Sequence, residues 1–434
     1  MNTLITLALS FIFLYLGTVW LALYYLGFER QPMRRYPSVT IAVPAHNEAD
    51  NLDVCVRSIL ASNYPKAKLT IIIIDDGSTD ATPAIAARLA SMRRPHSEAM
   101  ATPVGGADGK VHERGAKIRV LRKNKEGKSV ALNAALAIAD TELFGVLDAD
   151  STIHPDALRN LVPLIEQGDA KEGSVAAGIT SIRVRNDQSA FGAVQRIEYL
   201  MAALMRKIIS TIGTLWVTPG VLSVYRTDIL RQVHGFDHET MTEDLEVAMR
   251  LKEAGYCIEM AHDSITYTDV PEHMDEFWRQ RIRWSRGFIQ NHLRYRNMVF
   301  NRKYGTWGWF QLPLNIIGPP LLLLSLLVII INTVQGLYEF VFRSIIIRDY
   351  FLSRILNVPT LKELLLGQNF RIFLPIFISS CVGLYILYAA HSFGTERLKQ
   401  PGAILLFLMV LPYVTLAYWI SASVQELFQL KRRW

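Results

Sequence analysis

Hydrophobic and polar positions along this chain fall into three regimes. From about Ile5 to Phe28 no charge interrupts an apolar run, which is long enough to cross a ~30 Å hydrocarbon core as one helix. From Pro37 to about Phe300, short apolar runs alternate with amphipathic segments. Ser38 to Val43, Leu69 to Ile74, Ile118 to Leu121 and Phe144 to Leu147 have the length of buried strands. Ala49 to Leu60 and Ser129 to Ala139 lie between them as helices. Strand signal returns at Ser174 to Ile182 and Val221 to Tyr225, on either side of a long amphipathic helix from Ser189 to Ile209. A further helix runs Leu245 to Ala254 and stops at Gly255. This alternation predicts an α/β domain, its mostly parallel sheet covered on both faces. The irregular stretch from about Ser91 to Ala116 reads as a surface insertion.

Beyond Phe300, Phe310 to Thr333, Ile372 to His391 and Ala403 to Ala422 read as membrane-embedded. Leu337 to Phe370 instead mixes Arg343, Arg348, Arg354 and Lys362 with apolar residues, the pattern of a helix lying on a membrane surface. Pro319-Pro320 favours a fold-back of the first apolar segment, the alternative being a second crossing that includes Leu337 to Phe342. The expected organisation is an anchor and basic linker over 1–36, an α/β domain over 37–300, and membrane and interfacial helices over 301–434.

Composition agrees with membrane spans, since 50% of the 434 residues are hydrophobic and mean hydropathy is +0.20. The net charge of +7 does not argue for nucleic acid. Much of the basic excess sits beside apolar segments, as Arg30, Arg34, Arg35 and Lys431-Arg432-Arg433, where anionic lipid headgroups are the fitting partner. The first apolar segment lacks a basic start and a small-residue cleavage site, so it reads as a retained anchor. The arginines after it place the next domain in the cytoplasm by the positive-inside rule. Cys55, Cys257 and Cys381 are odd in number and far apart, which suggests neither a disulfide framework nor a zinc site.

Chemistry gathers where the strands end. The run Phe144 to Leu147 stops at Asp148-Ala149-Asp150. Alternate strand residues share a face, so both carboxylates can meet a hard divalent cation bridging a diphosphate. The run Leu69 to Ile74 stops at Asp75-Asp76-Gly77-Ser78, where a carboxylate can accept the imide N–H of uracil or a ribose hydroxyl. Pro44-Ala45-His46-Asn47-Glu48 closes the first strand, and Lys125 to Asn133 brings basic residues ahead of the Asp148 strand. Thr242-Glu243-Asp244 opens a helix, with Thr242 placed as N-cap and the acids at the positive end of the dipole. Thr218-Pro219-Gly220 is a turn, and Gln280-Arg281-Ile282-Arg283-Trp284 lies on an amphipathic helix.

This ordered series resembles the membrane-bound processive family 2 glycosyltransferases, which include hyaluronan, chitin and cellulose synthases. Within that group it is most similar to the catalytic subunits of bacterial poly-β-1,6-N-acetylglucosamine synthases. The resemblance covers about Pro37 to Trp284 and implies a GT-A fold. It implies that Pro44, Asn47, Glu48, Asp75, Asp76, Lys128 and Asp148 contact the nucleotide, and that Asp150 with Asp148 holds Mg²⁺ or Mn²⁺. Asp244, beside Glu243, would be the general base on the acceptor hydroxyl. Gln280, Arg281, Arg283, Trp284, Thr218, Pro219 and Gly220 would serve the diphosphate and the acceptor. The partners implied are a UDP-sugar, a growing polysaccharide and membrane lipids. The single leading span, where many relatives have two, leaves room for a small membrane accessory subunit. The enzymatic alternatives are a non-processive transferase that makes a glycolipid, or a synthase using a different sugar.

Overall fold

A computed structural model describes residues 2–25, 34–91, 115–165, 173–356, 370–395 and 400–430. Arg30, most of the expected insertion, Lys362 and Lys431 to Arg433 lie outside the described residues. The α/β domain is built on one eight-stranded sheet of order β3-β2-β1-β4-β7-β6-β8-β5. Its strands are β1 (Val39–Ala45), β2 (Leu69–Asp76), β3 (Lys117–Lys123), β4 (Leu143–Leu147), β5 (Thr152–Ile153), β6 (Val175–Val184), β7 (Val221–Arg226) and β8 (Cys257–Thr268). Strands β1 to β4 are mutually parallel, and all residues of β2 and β4 are buried, as helices on both faces require. Beyond β4 the sheet turns mixed, because β7 runs antiparallel to both β4 and β6.

The helices are α1 (Asn2–Tyr25), α2 (Leu52–Leu60), α3 (Thr82–Ser91), α4 (Lys128–Ile138), α5 (Ala157–Ile165), α6 (Ala190–Thr211), α7 (Thr227–Gln232), α8 (Glu243–Glu253), α9 (Met274–Arg294), α10 (Leu312–Ile346), α11 (Tyr350–Leu356), α12 (Phe370–Phe393), α13 (Pro401–Met409) and α14 (Leu411–Leu427). One core on the first face of the sheet joins α2, α3 and α5 to β1 and β2, through residues such as Leu52, Ile59, Leu158 and Ile71. A second on the opposite face joins α4, α7 and α8 to β4 and β8, through Leu132, Phe144, Leu230 and Val247.

Among the described residues, three helical segments are long and apolar enough to cross a membrane: Leu7–Tyr25, Trp307–Ile346 and Leu374–Phe393. The pair α13 and α14, bent by 41° at their junction, is a fourth if taken as one span. These are the helices of a membrane protein, and they fall where the apolar runs predict. The expected fold-back at Pro319-Pro320 does not occur, since α10 runs unbroken through both prolines. Membrane helices tolerate such interior prolines, because neighbouring groups re-satisfy the freed backbone. Thirty-five residues extend roughly 50 Å, so Leu337 to Phe342 prolong the same helix and do not form a second crossing. The amphipathic surface helix expected from Leu337 to Phe370 is replaced, over its described part, by the end of α10 and the short α11.

The sheet domain and the membrane helices share packed interfaces. Leu200, Leu204 and Ile208 of α6 pack with Ala389 and Ala390 of α12, with Trp20 of α1 against them. Ala193 and Ile197 meet Ala403 of α13. Helix α9 is tied to α14 by Arg286, which pairs with Glu426 and donates to Gln425 and the Leu430 carbonyl, while Gln290 donates to both Glu426 oxygens. Arg281 and Arg286 are buried inside protein.

Candidate active site

The site forms where β4 ends and α8 begins. Asp148 follows β4, and its backbone N–H donates to the Gly220 carbonyl at 2.9 Å, pinning the Asp148 loop to the turn before β7. Lys128, the first residue of α4, reaches Asp148 Oδ1 at 2.5 Å and Glu243 Oε1 at 3.1 Å. One ammonium thus links a carboxylate after β4 to another at the N-terminus of α8. Burial alone would lower the Lys128 pKa, but the charges of Asp148, Glu243 and Asp244 outweigh it and raise it. Burial likewise pushes Glu243 up, yet Lys128 holds it below its ordinary value.

The turn makes this approach feasible because position 220 lacks a side chain. A Cβ there would stand 2.4 Å from Asp148 Oδ2 and 2.7 Å from Lys128 Nζ. Thr218 is almost fully buried, and its hydroxyl donates to the main-chain carbonyl of Asp244 at 2.7 Å. The Thr218-Pro219-Gly220 turn therefore bridges Asp148 and Asp244.

Asp150 is pushed up to about 6, first by burial and then by the charge of Asp148, with Glu48 adding to it. Its Oδ1 accepts from the Ser151 hydroxyl at 2.8 Å. Asp244 is likewise pushed up to about 6 by burial and by the charge of Glu243, against the opposing Lys128 and Arg283. Among the described residues no group of three or more His, Cys, Asp or Glu is placed to hold a metal. Asp148 and Asp150 are two carboxylates, the number that nucleotide enzymes complete with substrate phosphates when they hold Mg²⁺. The uncompensated charge that raises Asp150 is the charge a divalent cation would relieve.

Asp75 and Asp76 stand one step back from this centre. Asp76 accepts from the Glu126 and Gly127 backbone N–H groups, each at 2.9 Å, and so holds the loop that leads into Lys128. Asp75 accepts from the Ser78 N–H at 2.9 Å, with Arg122 3.4 Å from its other oxygen. After β1, Asn47 adopts the left-handed φ of 58°. Its N–H donates to the Ser78 hydroxyl and its side-chain oxygen accepts from the Thr79 N–H. Pro44 lies within β1, beside Ile74. The Glu48 N–H donates to Thr82, and its carboxylate accepts from Asn51.

A cavity of about 640 Å³ opens from this centre toward the membrane helices, and its walls include Lys128, Asp148, Asp150, Asp244, Pro219 and Gly220. Gln280, Arg281, Arg283 and Trp284 of α9 line it too, so the structure brings the strand-end acids and the α9 motif to one space. Pro44, Asn47, Glu48, Asp75, Asp76, Thr218 and Glu243 are not among its lining residues. Arg281 is buried and bonded to Glu198 at 2.7 Å, its guanidinium over the rings of Trp284 and Phe277. Arg283 is exposed to the cavity and makes no hydrogen bond or ion pair among the described residues, which leaves its planar fork free.

Some supporting residues carry no motif. Thr242 occupies the N-cap position of α8, but its side chain makes no cap bond. Its hydroxyl accepts instead from Asn291 of α9 at 3.0 Å. Gly287 lets α9 approach this closely, since a Cβ there would lie 2.3 Å from the Thr242 hydroxyl. Asn291 and Gly287 follow Trp284 at helical spacing on α9, and that spacing is the signal by which they could have been found.

The fold and the site define a glycosyltransferase of GT-A type. The model of glycosyl transferase family 2 matches residues 40–233, and that of glycosyl transferase family group 2 matches residues 143–422. The chain belongs to this family. Similar curated proteins include poly-β-1,6-N-acetyl-D-glucosamine synthase of Staphylococcus epidermidis, 26% identical over 63% of this chain and 63% of that protein. The synthase of the same name from Staphylococcus aureus is 27% identical over 57% of this chain and 54% of its own length. The β-monoglucosyldiacylglycerol synthase of Trichormus variabilis is 26% identical over 64% of this chain and 55% of its own. The matches thus span between 54% and 63% of these relatives. A mannosyltransferase from Pyrobaculum calidifontis, solved with GDP-mannose and Mn²⁺, shares the fold at a TM-score of 0.59 and 18% identity, over 99% of this chain and 100% of that one.

Gly220→Ala places a methyl group where Asp148 and Lys128 meet. Its transfer rate is expected to fall roughly a hundredfold while the thermal unfolding temperature in detergent changes little. An enzyme of near-normal rate would show that the turn yields.

Proposed function

We propose that this enzyme transfers N-acetylglucosamine from its UDP donor to the non-reducing end of a growing β-linked polysaccharide. On this reading the sheet domain faces the cytoplasm and the product leaves between the membrane helices. The observation that carries it is the single cavity in which Asp148, Asp150 and Asp244 share walls with Trp284 and with Trp20 and Leu314 of α1 and α10. The naming of two similar proteins as poly-β-1,6-N-acetyl-D-glucosamine synthases supports the choice of sugar.

In this mechanism Asp150 and Asp148 would hold Mg²⁺ or Mn²⁺ against the donor diphosphate. When bound there, the metal would supply positive charge to the departing nucleotide. Lys128 holds Asp148 and Glu243 in place and favours the ionised form of Glu243. Arg283 pairs with diphosphate oxygens from the opposite wall. Asp244, its carbonyl fixed by Thr218, accepts the proton of the acceptor hydroxyl as that oxygen attacks the anomeric carbon and UDP leaves. A single displacement inverts an α-linked donor into a β-glycoside. The face of Trp284 supports a sugar ring at the mouth of the cavity.

Purified protein in detergent with Mg²⁺ or Mn²⁺ is expected to release UDP from UDP-N-acetylglucosamine and to build a ladder of long products. One sugar added to a lipid would establish the glycolipid reading, and no turnover with any UDP-sugar would refute transfer from UDP. Asp244→Asn is expected to abolish transfer and leave UDP binding largely intact. In the wild type, Asp244 must be ionised to act as base, and it faces Glu243 on its own helix, Lys128 on α4, Arg283 on α9 and Arg206 on α6. Its value of about 6 predicts a rate that rises with pH through that region and levels off above it. A flat profile down to pH ~5 would remove Asp244 from the base role.

A further inference from the structure

Asp150 is also held from the end of β8, by residues to which the transfer mechanism gives no role. Arg185 follows the last residue of β6, and its backbone N–H donates to the carbonyl of Thr268, the last residue of β8, at 3.0 Å. Its side chain grips the next residue, Asp269, with both arms of the fork: Nε donates to Oδ1 at 2.9 Å, and Nη2 donates to Oδ2. The same Nη2 donates to the main-chain carbonyl of Asp150 at 3.4 Å. A second tie starts from β8 as well. The Ser151 hydroxyl, on a fully buried residue, donates to Asp150 Oδ1 at 2.8 Å and stands 3.2 Å from the Thr268 hydroxyl. Both the carbonyl and the carboxylate of Asp150 are therefore held from Thr268 and Asp269, which form part of the cavity wall. Just beyond, Val270 exchanges two hydrogen bonds with Asn186, each at 2.8 Å, and the chain runs on into α9.

The side chains of Arg185 and Asp269 are 36% and 38% exposed, and an ion pair so open to water adds little to stability. What it supplies is orientation, since a bidentate fork fixes direction as well as distance. We propose that Arg185, braced by Asp269, is a positioning residue that aims the Asp150 carboxylate at a divalent cation on the donor diphosphate, and so sets how tightly that cation is held. Partners that bond to a metal-holding carboxylate from behind govern affinity in this way. The inference rests on the metal role given to Asp150 under the proposed function and deepens it. The charge of Arg185 acts in the opposite sense, because a guanidinium beside the site repels another cation. Removing the arginine therefore loosens the metal if orientation is its contribution, and tightens it if charge is.

The test is Mn²⁺ binding by the full-length protein in neutral detergent, with UDP present, read from the electron paramagnetic resonance signal of the free ion. Wild-type protein is expected to take up Mn²⁺. Arg185→Gln should weaken that uptake roughly tenfold, and Arg185→Lys should restore part of it. The double variant Arg185→Gln with Asp269→Asn removes one charge of each sign, and it should bind as weakly as Arg185→Gln alone. Metal-free UDP affinity and the thermal unfolding temperature should match wild type in all three. Equal Mn²⁺ affinity in wild type and Arg185→Gln would overturn the proposal. So would tighter binding in Arg185→Gln, or wild-type affinity in the double variant, since either would show that the arginine acts through charge alone. Loss of metal-free UDP affinity would assign Arg185 to the nucleotide instead, and a wild-type protein that takes up no Mn²⁺ with UDP would also refute the inference. Failure of UDP-sugar turnover beside normal Mn²⁺ binding would count against the proposed function and leave these binding outcomes readable.

Discussion

Everything in the active site depends on one half-buried cation, Lys128, held between Asp148 and Glu243. Asp148, Glu243 and Asp244 carry like charge into a partly desolvated space, where repulsion would separate them or leave them protonated. The ammonium pairs with Asp148 and Glu243 directly, and its positive charge favours the ionised form of Asp244. It also makes a mechanical link, because its partners sit on elements distant in the chain, the end of β4 and the start of α8. The carboxylate after β4 and the start of α8, where the proposed base Asp244 follows Glu243, are thereby held in one geometry.

The surrounding structure sets the position of that lysine from several sides. Asp76 clamps the loop entering α4 through two backbone N–H groups. The glycine at position 220 leaves room for Lys128 and Asp148 to meet, and Thr218 on the same turn holds the Asp244 carbonyl. Helix α9 closes the far side, fitted against Thr242 through Gly287 and Asn291 and strapped to α14 through Arg286. Because α6 and α9 belong at once to the cavity walls and to the packing against membrane helices, the site and the membrane region are joined. That suits an enzyme whose acceptor or product is a membrane-associated chain.

Much of this was legible in the sequence. The strands β1, β2 and β4 are apolar runs that end in acids, and buried parallel strands are the elements that read most clearly. The four apolar helical regions were equally plain. Strand β8 was not, because Glu259, His262 and Asp263 interrupt it; half-buried positions tolerate them, and Glu259 is offset by Lys207 and Lys252. Helix α5 was obscured by its brevity and by the internal Pro163. In the site, Asp148, Asp150, Asp244 and the α9 motif, with the roles the resemblance implies, could be named from the chain, but the pairing that positions them could not. That Asp76 holds a loop, that Arg281 is committed to Glu198 and that Arg185 reaches Asp269 and Asp150 are facts of three-dimensional pairing, which no spacing encodes.

The central claim is that Lys128 joins donor site and base into one unit, and the direct measurement is UDP binding and transfer rate in Lys128→Met, a side chain of similar length without charge. The account predicts a folded protein by thermal unfolding in detergent, with metal-dependent UDP affinity and transfer rate both reduced, the rate by roughly a hundredfold or more. A Lys128→Met enzyme that binds UDP and transfers sugar at near-normal rates would contradict it.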